Sequence, residues 1–344
     1  MKKIKKLFSN YLFNILLVFS LTIFVLWFSL KDNFDEIVLL IKNIDHTYLL
    51  LLVIVVLAIQ FFIGMALTLL TKISNPHYKL IHGIQNGLVP SFFHGVTPGS
   101  SGGQVAQVYI FKKQNVDISD AASVLWMDFI IYQSTMVVVV FVFLITKLSY
   151  FMAYFSNLLI LVILGFIISS GIIVSLWALV KFDKIYHFIT TKGIEICHRL
   201  HLINDKQNTI DTLNKQLKRF DNETKKLKAN KIVIIEVIIC NIIRLLLYYS
   251  IPFICLKALG IDIKAIELVK VMAMSSYISM INCFIPIPGA SGGTEATYVI
   301  MFSKIFGKVA ASSSMLLWRF MSYYFVMIIG GLTFLYVKIV SSKK

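Results

Sequence analysis

Five ionisable side chains lie inside or beside long apolar stretches of this sequence, and they are the residues best placed to do chemistry there: Asp128, Glu236, Arg244, Glu295 and Arg319. A charged residue at the centre of a bilayer costs at least about 2.5–3.5 kcal/mol unless it is paired or hydrated. The arginines could bind a phosphate or another anion, and the carboxylates could bind a cation or a cationic headgroup. All five are therefore candidate substrate-binding residues, with structural ion pairing as the alternative.

Two short segments rich in proline and glycine interrupt the apolar stretches. Pro98–Gln104 reads PGSSGGQ, and Pro286–Glu295 reads PIPGASGGTE. Proline lacks a backbone N–H and glycine tolerates left-handed backbone, so each segment predicts a break between two short helices. The candidate binding residues within the two breaks are Pro98, Gly99, Gly102, Gly103, Gln104, Pro288, Gly289, Gly292 and Gly293.

The second break is expected to end in a helix N-terminus. A helix that begins near Ser291 or Thr294 would direct the positive end of its dipole at the membrane midplane, which favours a phosphate or another anion. Glu295 would lie in the first turn, where it either takes part in binding or caps Ser291 or Gly292. Gln104 holds the corresponding place in the first break, so the two breaks are not expected to do the same job.

The positions of the candidate residues predict how they associate. Asp128 and Arg319 follow the two breaks at similar distances, so we expect them to pair with each other across the two halves of the chain. Glu236 and Arg244 are about two helical turns apart and are expected to share a helix face. His94 lies beside the first break, and packing is favoured over ligand contact for its ring.

The composition places these residues in a membrane protein. Of the 344 residues, 58% are hydrophobic and only 15% are charged, and the mean hydropathy is +0.82. Soluble domains contain about 45–50% apolar and about 25% charged residues. Several apolar runs reach the roughly 20 residues that cross a bilayer, and the alternating segments of a β-barrel are absent from the sequence. The fold class is therefore predicted to be an all-α polytopic membrane protein.

The apolar runs predict about six full spans, at residues 11–30, 48–70, 121–146, 158–180, 232–256 and 310–337. In the regions 80–111 and 266–302, prolines and glycines divide the apolar sequence into pieces that are too short to cross the bilayer. Each region therefore predicts a re-entrant helical hairpin. The basic segment 181–231 contains apolar residues at helical spacing. It is expected to form either an amphipathic helix on the membrane surface or a solvated linker helix.

Lysines in the short loops orient the chain with both termini in the cytoplasm. The first hairpin then opens to the cytoplasm and the second opens to the outside. Residues 48–146 (repeat A) and 232–337 (repeat B) are thereby predicted to form an inverted-topology repeat within a single transmembrane domain that spans residues 1–344. Secondary transporters use such repeats to build a substrate site near the midplane from discontinuous helices.

Several other functions are disfavoured by the sequence. The net charge of +16 lies in the loops, where it indicates topology and attraction to anionic lipid headgroups, and no nucleic-acid recognition motif accompanies it. The four cysteines form no C-x-x-C pair, so neither a disulfide framework nor a metal site is expected. No nucleotide-binding motif is present, which disfavours an ATP-driven pump. No cofactor is expected.

The two breaks, TPGSSGGQ at Thr97–Gln104 and PIPGASGGTE at Pro286–Glu295, resemble those of the lysylphosphatidylglycerol synthase transmembrane-domain family, also called flippase-like domain proteins. The resemblance covers nearly the whole chain and includes Arg319. It implies a bacterial inner-membrane protein that handles lipids. In full-length aminoacyl-phosphatidylglycerol synthases this domain moves the modified lipid outward, and a separate soluble domain carries out lysyl transfer. No such domain follows the last predicted span here, so the resemblance implies the membrane part alone.

The favoured hypothesis is a flippase for a phospholipid or an aminoacyl-phospholipid of the lysyl-phosphatidylglycerol type. One alternative is phosphatidylglycerol lysyltransferase activity, which would need its site in residues 181–231. Another is an ion-coupled transporter of a small anionic solute, with Asp128 or Glu236 as the titrating group. Membrane phospholipids and anionic headgroups are the expected partners, and assembly into a homo-oligomer is an open alternative.

Overall fold

The computed structural model describes residues 42–97, 102–181, 221–283 and 292–341, together with the isolated residues 35, 38, 39 and 290. Most of these residues are helical, and none of them lies in a β-strand. The all-α polytopic class is therefore confirmed. The predicted span at 11–30, most of the basic segment 181–231, and parts of both breaks lie outside the described residues.

The described helices follow one another in this order: α1 His46–Lys72, α2 Leu80–Val96, α3 Gly102–Lys113, α4 Ile118–Thr146, α5 Leu148–Phe155, α6 Leu159–Lys181, α7 Lys231–Ala258, α8 Leu268–Asn282, α9 Gly293–Phe306, α10 Lys308–Arg319 and α11 Phe325–Ser341. A π-helical segment, Phe320–Tyr324, joins α10 to α11. Single 3-10 turns precede α6 and α8, and residues 221–229 are helical before α7.

Five helical stretches of the described residues are long and apolar enough to cross a membrane: His46–Lys72, Ile118–Thr146, Leu148–Leu176, Lys231–Ala258 and Lys308–Val340. Each overlaps one of the predicted spans after the first. The largest difference is at the fourth span, predicted to begin at residue 158. There the short helix α5 adds residues 148–155 to the start of the apolar stretch. Helix α5 is held in place by Phe151 and Phe155, which are buried, and the ring of Phe151 packs edge-on against Tyr277 of α8.

Helices α1 and α7 make the most extensive contact between any two described helices. They are the first spans of the predicted repeats A and B. Their shared surface lies in the main apolar core, where Leu52 of α1 and Tyr249 of α7 are fully buried. Helices α4, α8 and α10 pack around this pair.

The first broken region forms a pair of short helices, α2 and α3, that pack on each other. Helix α3 has 12 residues, which gives a length of about 18 Å at 1.5 Å per residue, well short of a hydrocarbon core of about 30 Å. Helices α8 and α9, on either side of the second break, have 15 and 14 residues. These lengths suit re-entrant hairpins, and the re-entrant topology and the inverted repeat remain predictions.

Glycines allow α2 to pack at backbone distance between α1 and α11. A Cβ on Gly64 of α1 would lie 2.5 Å from the Cα of Ile84, and one on Gly330 of α11 would lie 2.4 Å from the backbone oxygen of Leu88. Small residues at such contacts let transmembrane helix backbones approach closely. The pair of helices α2 and α3 is therefore fixed against both α1 and the last span.

Candidate functional site

A cavity of about 440 Å³ lies among α1, α2, α3, α4, α7, the π segment and α11. Its walls therefore come from both halves of the chain. Much of the lining is apolar, and the polar side chains that face it are Gln60, Ser91, His94, Gln104, Gln107, Asp128, Tyr132, Arg244, Tyr248, Ser322 and Tyr323. Concave sites with a mainly apolar wall and a few converging polar groups are typical ligand sites.

Arg244 of α7 presents its charge to this cavity. Arg244 is only 8% exposed. Its guanidinium carbon lies 4.0 Å from the centre of the Tyr132 ring on α4, which is a cation–π contact. The buried Nε–H has no hydrogen-bond partner in the part of the chain that the structure describes. No carboxylate of the described residues is within ion-pairing distance of this guanidinium. Arg244 is therefore held by an aromatic face and keeps its charge available.

Asp128 lies on α4, one helical turn before Tyr132, and also lines the cavity. Its Oδ1 atom is inaccessible to water and has no hydrogen-bond partner among the described residues. The charge of Arg244 acts on this carboxyl group electrostatically without a direct ion pair. The cavity is therefore lined by one carboxyl group and one guanidinium that form no direct ion pair.

The predicted pair between Asp128 and Arg319 is wrong. Arg319 Nε lies 2.8 Å from Glu295 Oε1, and the Glu295 side chain is completely buried. The contact is an ion pair that lacks the geometry of a hydrogen bond. The Arg319 guanidinium carbon also lies 4.0 Å from the centre of the Tyr323 ring.

Glu295 is placed by the start of α9. Its Oε2 accepts a hydrogen bond of 2.7 Å from the backbone N–H of Gly292, which has a φ of 88°, in the left-handed region that favours glycine. The capping alternative for Glu295 is therefore confirmed. On the next turn of α9, Tyr298 stacks on Trp318 with ring centres 4.9 Å apart, which fixes α9 against α10 beside Arg319. Glu295 is thus both a helix cap and the counter-ion of Arg319.

The expected association of Glu236 with Arg244 does not form. Glu236 is exposed and does not line the cavity, whereas Arg244 is buried. Residues eight apart on an α-helix differ by about 80° in direction, which is enough to place one toward lipid or solvent and the other toward the core.

Of the described residues of the first break, Gln104 alone lines the cavity. Gln104 is exposed. The Gly102 N–H donates a hydrogen bond of 2.9 Å to Thr97 Oγ1, which closes the start of α3. The His94 ring lies against Gly103, where a Cβ would be 1.9 Å from Nε2, so the imidazole is packed against this backbone while it also lines the cavity.

The second break contributes no described residue to the cavity wall: Gly292 is the N-cap of α9, Gly293 begins that helix, and neither lines the cavity. Pro98, Gly99, Pro288 and Gly289 lie outside the described residues. Among the candidates, the structure therefore brings Gln104, Asp128 and Arg244 to one cavity and joins Glu295 to Arg319 elsewhere.

Sequence reasoning missed three tyrosines that shape the site: Tyr132, Tyr248 and Tyr323. Each follows an ionisable residue of an apolar run by one helical turn, after Asp128, Arg244 and Arg319 respectively. That recurring spacing was visible in the sequence and could have identified them. Tyr323 belongs to the π segment, a helix irregularity that is frequent at functional sites.

In the part of the chain that the structure describes, no group of three or more histidine, cysteine, aspartate or glutamate side chains could hold a metal ion. Cys240, Cys255 and Cys283 are free thiols.

The sequence profile of the family described as the lysylphosphatidylglycerol synthase TM region matches residues 12–330 of the chain. This match covers every helix described above except the end of α11. No curated protein and no solved structure matches the chain.

Proposed function

Because the chain belongs to the lysylphosphatidylglycerol synthase transmembrane-region family, and so is a multi-pass membrane protein related to lipids, we propose that it moves phospholipid headgroups across the bilayer. The headgroup would enter the cavity beside Arg244, and the acyl chains would remain in lipid. A phospholipid or an aminoacyl-phospholipid of the lysyl-phosphatidylglycerol type is the proposed substrate. A bacterial inner membrane, with both termini in the cytoplasm, is the proposed location.

This proposal is carried by the guanidinium of Arg244, which has no carboxylate partner among the described residues. A buried arginine without a carboxylate partner is costly in a membrane unless another anion neutralises it. The phosphodiester of a phospholipid headgroup supplies such a charge, and arginine binds phosphate with short, charge-assisted hydrogen bonds. Tyr132 covers one face of the guanidinium, so an anion would approach from its edge or its other face.

The edge of the cavity also supports a lipid substrate. Gln104 of α3 and Phe129 of α4 both line the cavity and are exposed, Phe129 by 39%. These two helices flank a side of the bundle that faces the surroundings of the protein. A headgroup could lie in the cavity through this side while its acyl chains stay outside, which a small soluble solute would not require.

A scrambling assay in reconstituted vesicles tests the proposal. The full chain is reconstituted with trace fluorescent phosphatidylglycerol, and dithionite quenches the label in the outer leaflet only. We expect the wild-type protein to move the inner-leaflet label to the outer leaflet, where dithionite quenches it. Arg244→Gln should slow this lipid exchange about tenfold or more, since a hydrogen bond to a charged group contributes about 1.5–3 kcal/mol. Glu236→Gln, an acidic span residue outside the cavity, is the matched control and should behave as the wild type.

Two results would contradict the proposal. One is a wild-type exchange rate equal to that of protein-free vesicles for phosphatidylglycerol, its lysyl ester and zwitterionic phosphatidylcholine alike. The other is formation of lysyl-phosphatidylglycerol by the purified protein from charged tRNA without any lipid exchange, which would support the transferase instead.

A further inference from the structure

The two buried arginines of the described helices have different partners. Arg319 is paired with Glu295, whose second oxygen is also hydrogen-bonded to a backbone N–H. Arg244 and Asp128 both line the cavity and form no ion pair with each other, and the Oδ1 atom of that carboxyl group is buried without a partner among the described residues. Arg319 and Glu295 form a buried structural ion pair (the closed couple). Arg244 and Asp128 line a cavity that a ligand can enter (the open couple).

Oδ1 of Asp128 is buried and has no hydrogen-bond partner among the described residues, which makes the ionised form unfavourable there. A carboxyl group relieves this cost by holding a proton or by pairing with a cation. The titratable groups that face the same cavity come from four elements: His94 of α2, Tyr132 of α4, Arg244 and Tyr248 of α7, and Tyr323 of the π segment. Helices α1 and α3 contribute the neutral side chains Gln60, Gln104 and Gln107. Arg244 is thus the only cation with a fixed charge that faces Asp128 from the described lining.

We infer that Asp128 is a proton-binding site and that its proton is coupled to the binding of a phosphate-bearing anion at Arg244. This inference rests on the proposed function, because it takes the anion to be the headgroup that Arg244 binds. It adds an ion-coupling step to that function.

The coupling follows from charge balance in the cavity. When Asp128 holds a proton, the carboxyl group is neutral and the single positive charge of Arg244 is left for the anion. When the proton returns to water, the carboxylate competes with the anion for the same guanidinium and weakens its binding. One proton and one negative charge therefore enter and leave together, and a monoanionic phosphodiester is carried without net charge. By linkage, the anion must in turn tighten proton binding by the same factor.

A binding titration of the purified full chain in detergent tests this coupling. The probe is a short-chain phosphatidylglycerol, added at a series of pH values, and binding is followed by calorimetry. With one coupled proton, the affinity of the wild type should rise about tenfold for each unit that the pH falls through the range in which Asp128 titrates. Asp128→Asn should bind tightly with no such dependence, since the amide stands in for the protonated acid.

Two control variants separate Asp128 from other sources of pH dependence, and two further measurements identify the bound anion and the protonated carboxyl group. Glu236→Gln removes an acid outside the cavity and should keep both the wild-type affinity and the wild-type slope. His94→Gln removes an imidazole that lines the cavity, so its affinity is free to change, but its slope should match that of the wild type. Inorganic phosphate replaces the lipid in a parallel series, so a soluble anion can be distinguished from a lipid headgroup as the bound species. The infrared carbonyl band of a protonated carboxyl group should be present in the wild type and reduced in Asp128→Asn.

The outcomes distinguish the inference from the proposed function. Tight phosphatidylglycerol binding that depends on Arg244 but not on pH would overturn the proton coupling and leave the proposed function standing. The proton coupling at Asp128 would likewise be overturned if Asp128→Asn kept the wild-type pH dependence of binding, or if His94→Gln abolished that pH dependence. Absence of binding by either anion at every pH would overturn both. Tighter binding of inorganic phosphate than of the lipid would contradict a lipid substrate, and it would support the coupling if Asp128→Asn reduced its pH dependence.

Discussion

Arg319 at the end of α10 and Glu295 at the start of α9 form a buried ion pair, with Nε and Oε1 2.8 Å apart. The same carboxylate accepts the backbone N–H of Gly292 within the second break. The Pro/Gly-rich segment is thereby anchored at its end to the helix that leads into the π segment and the cavity. The pair has no free charge to offer a ligand, so we regard it as the structural counterpart of the open couple formed by Asp128 and Arg244.

Breaking this pair should destabilise the protein. Glu295→Gln keeps an oxygen that can accept the Gly292 N–H but leaves Arg319 buried without a counter-ion, which typically costs about 3–5 kcal/mol. Thermal unfolding in detergent should show a lower midpoint for Glu295→Gln, and the double variant Glu295→Gln/Arg319→Met should recover part of the loss. Glu267→Gln removes a partly exposed acid 4.0 Å from Lys270 and should cost no more than about 1 kcal/mol. Equal effects of Glu295→Gln and Glu267→Gln would contradict a structural role for the buried pair.

Gly64 should tolerate no side chain, because α1 and α2 touch there through their backbones. In Gly64→Ala the new Cβ would meet the Ile84 backbone at 2.5 Å, and overpacking of this kind costs about 1–3 kcal/mol. Gly171→Ala is the control, since nothing lies within 4 Å of its Cβ position on α6. Unfolding midpoints measured side by side should fall for Gly64→Ala only. A similar midpoint for both variants would show that α2 does not pack on α1 as described.

The predicted inverted topology can be tested with single cysteines in a background that lacks the four native ones. His77, before α2, and Lys113, at the end of α3, are both exposed and should be labelled from the cytoplasmic side. Asp262, before α8, and Lys308, after α9, are exposed as well and should be labelled from the outside. A membrane-impermeant maleimide added to intact cells or inverted vesicles reads out each position. Opposite sides for the two members of either pair would contradict a re-entrant hairpin.

The sequence alone predicted the helical class and the approximate bounds of the spans. Hydropathy is a local property, and about 20 apolar residues have few alternatives to a transmembrane helix because the bilayer leaves no backbone group unpaired. The break before α9 and the cap by Glu295 were also readable, since proline, glycine and a carboxylate at these spacings act within one turn of the backbone. The identities of the buried charges followed from the cost of placing any charge in an apolar run.

Only the tertiary structure decided which charges meet. Asp128, Glu236, Glu295, Arg244 and Arg319 allow several pairings, and sequence symmetry favoured Asp128 with Arg319. The actual partner of Arg319 was selected by the stacking of α9 on α10, and the aromatic contact of Arg244 by the packing of α7 against α4. Such contacts depend on the rotation and depth of whole helices, which are set by packing summed over many side chains and by glycines such as Gly64. A local sequence pattern contains no information about packing summed over the whole fold. For this reason only the tertiary structure showed that Asp128 and Arg244 line one cavity without forming an ion pair.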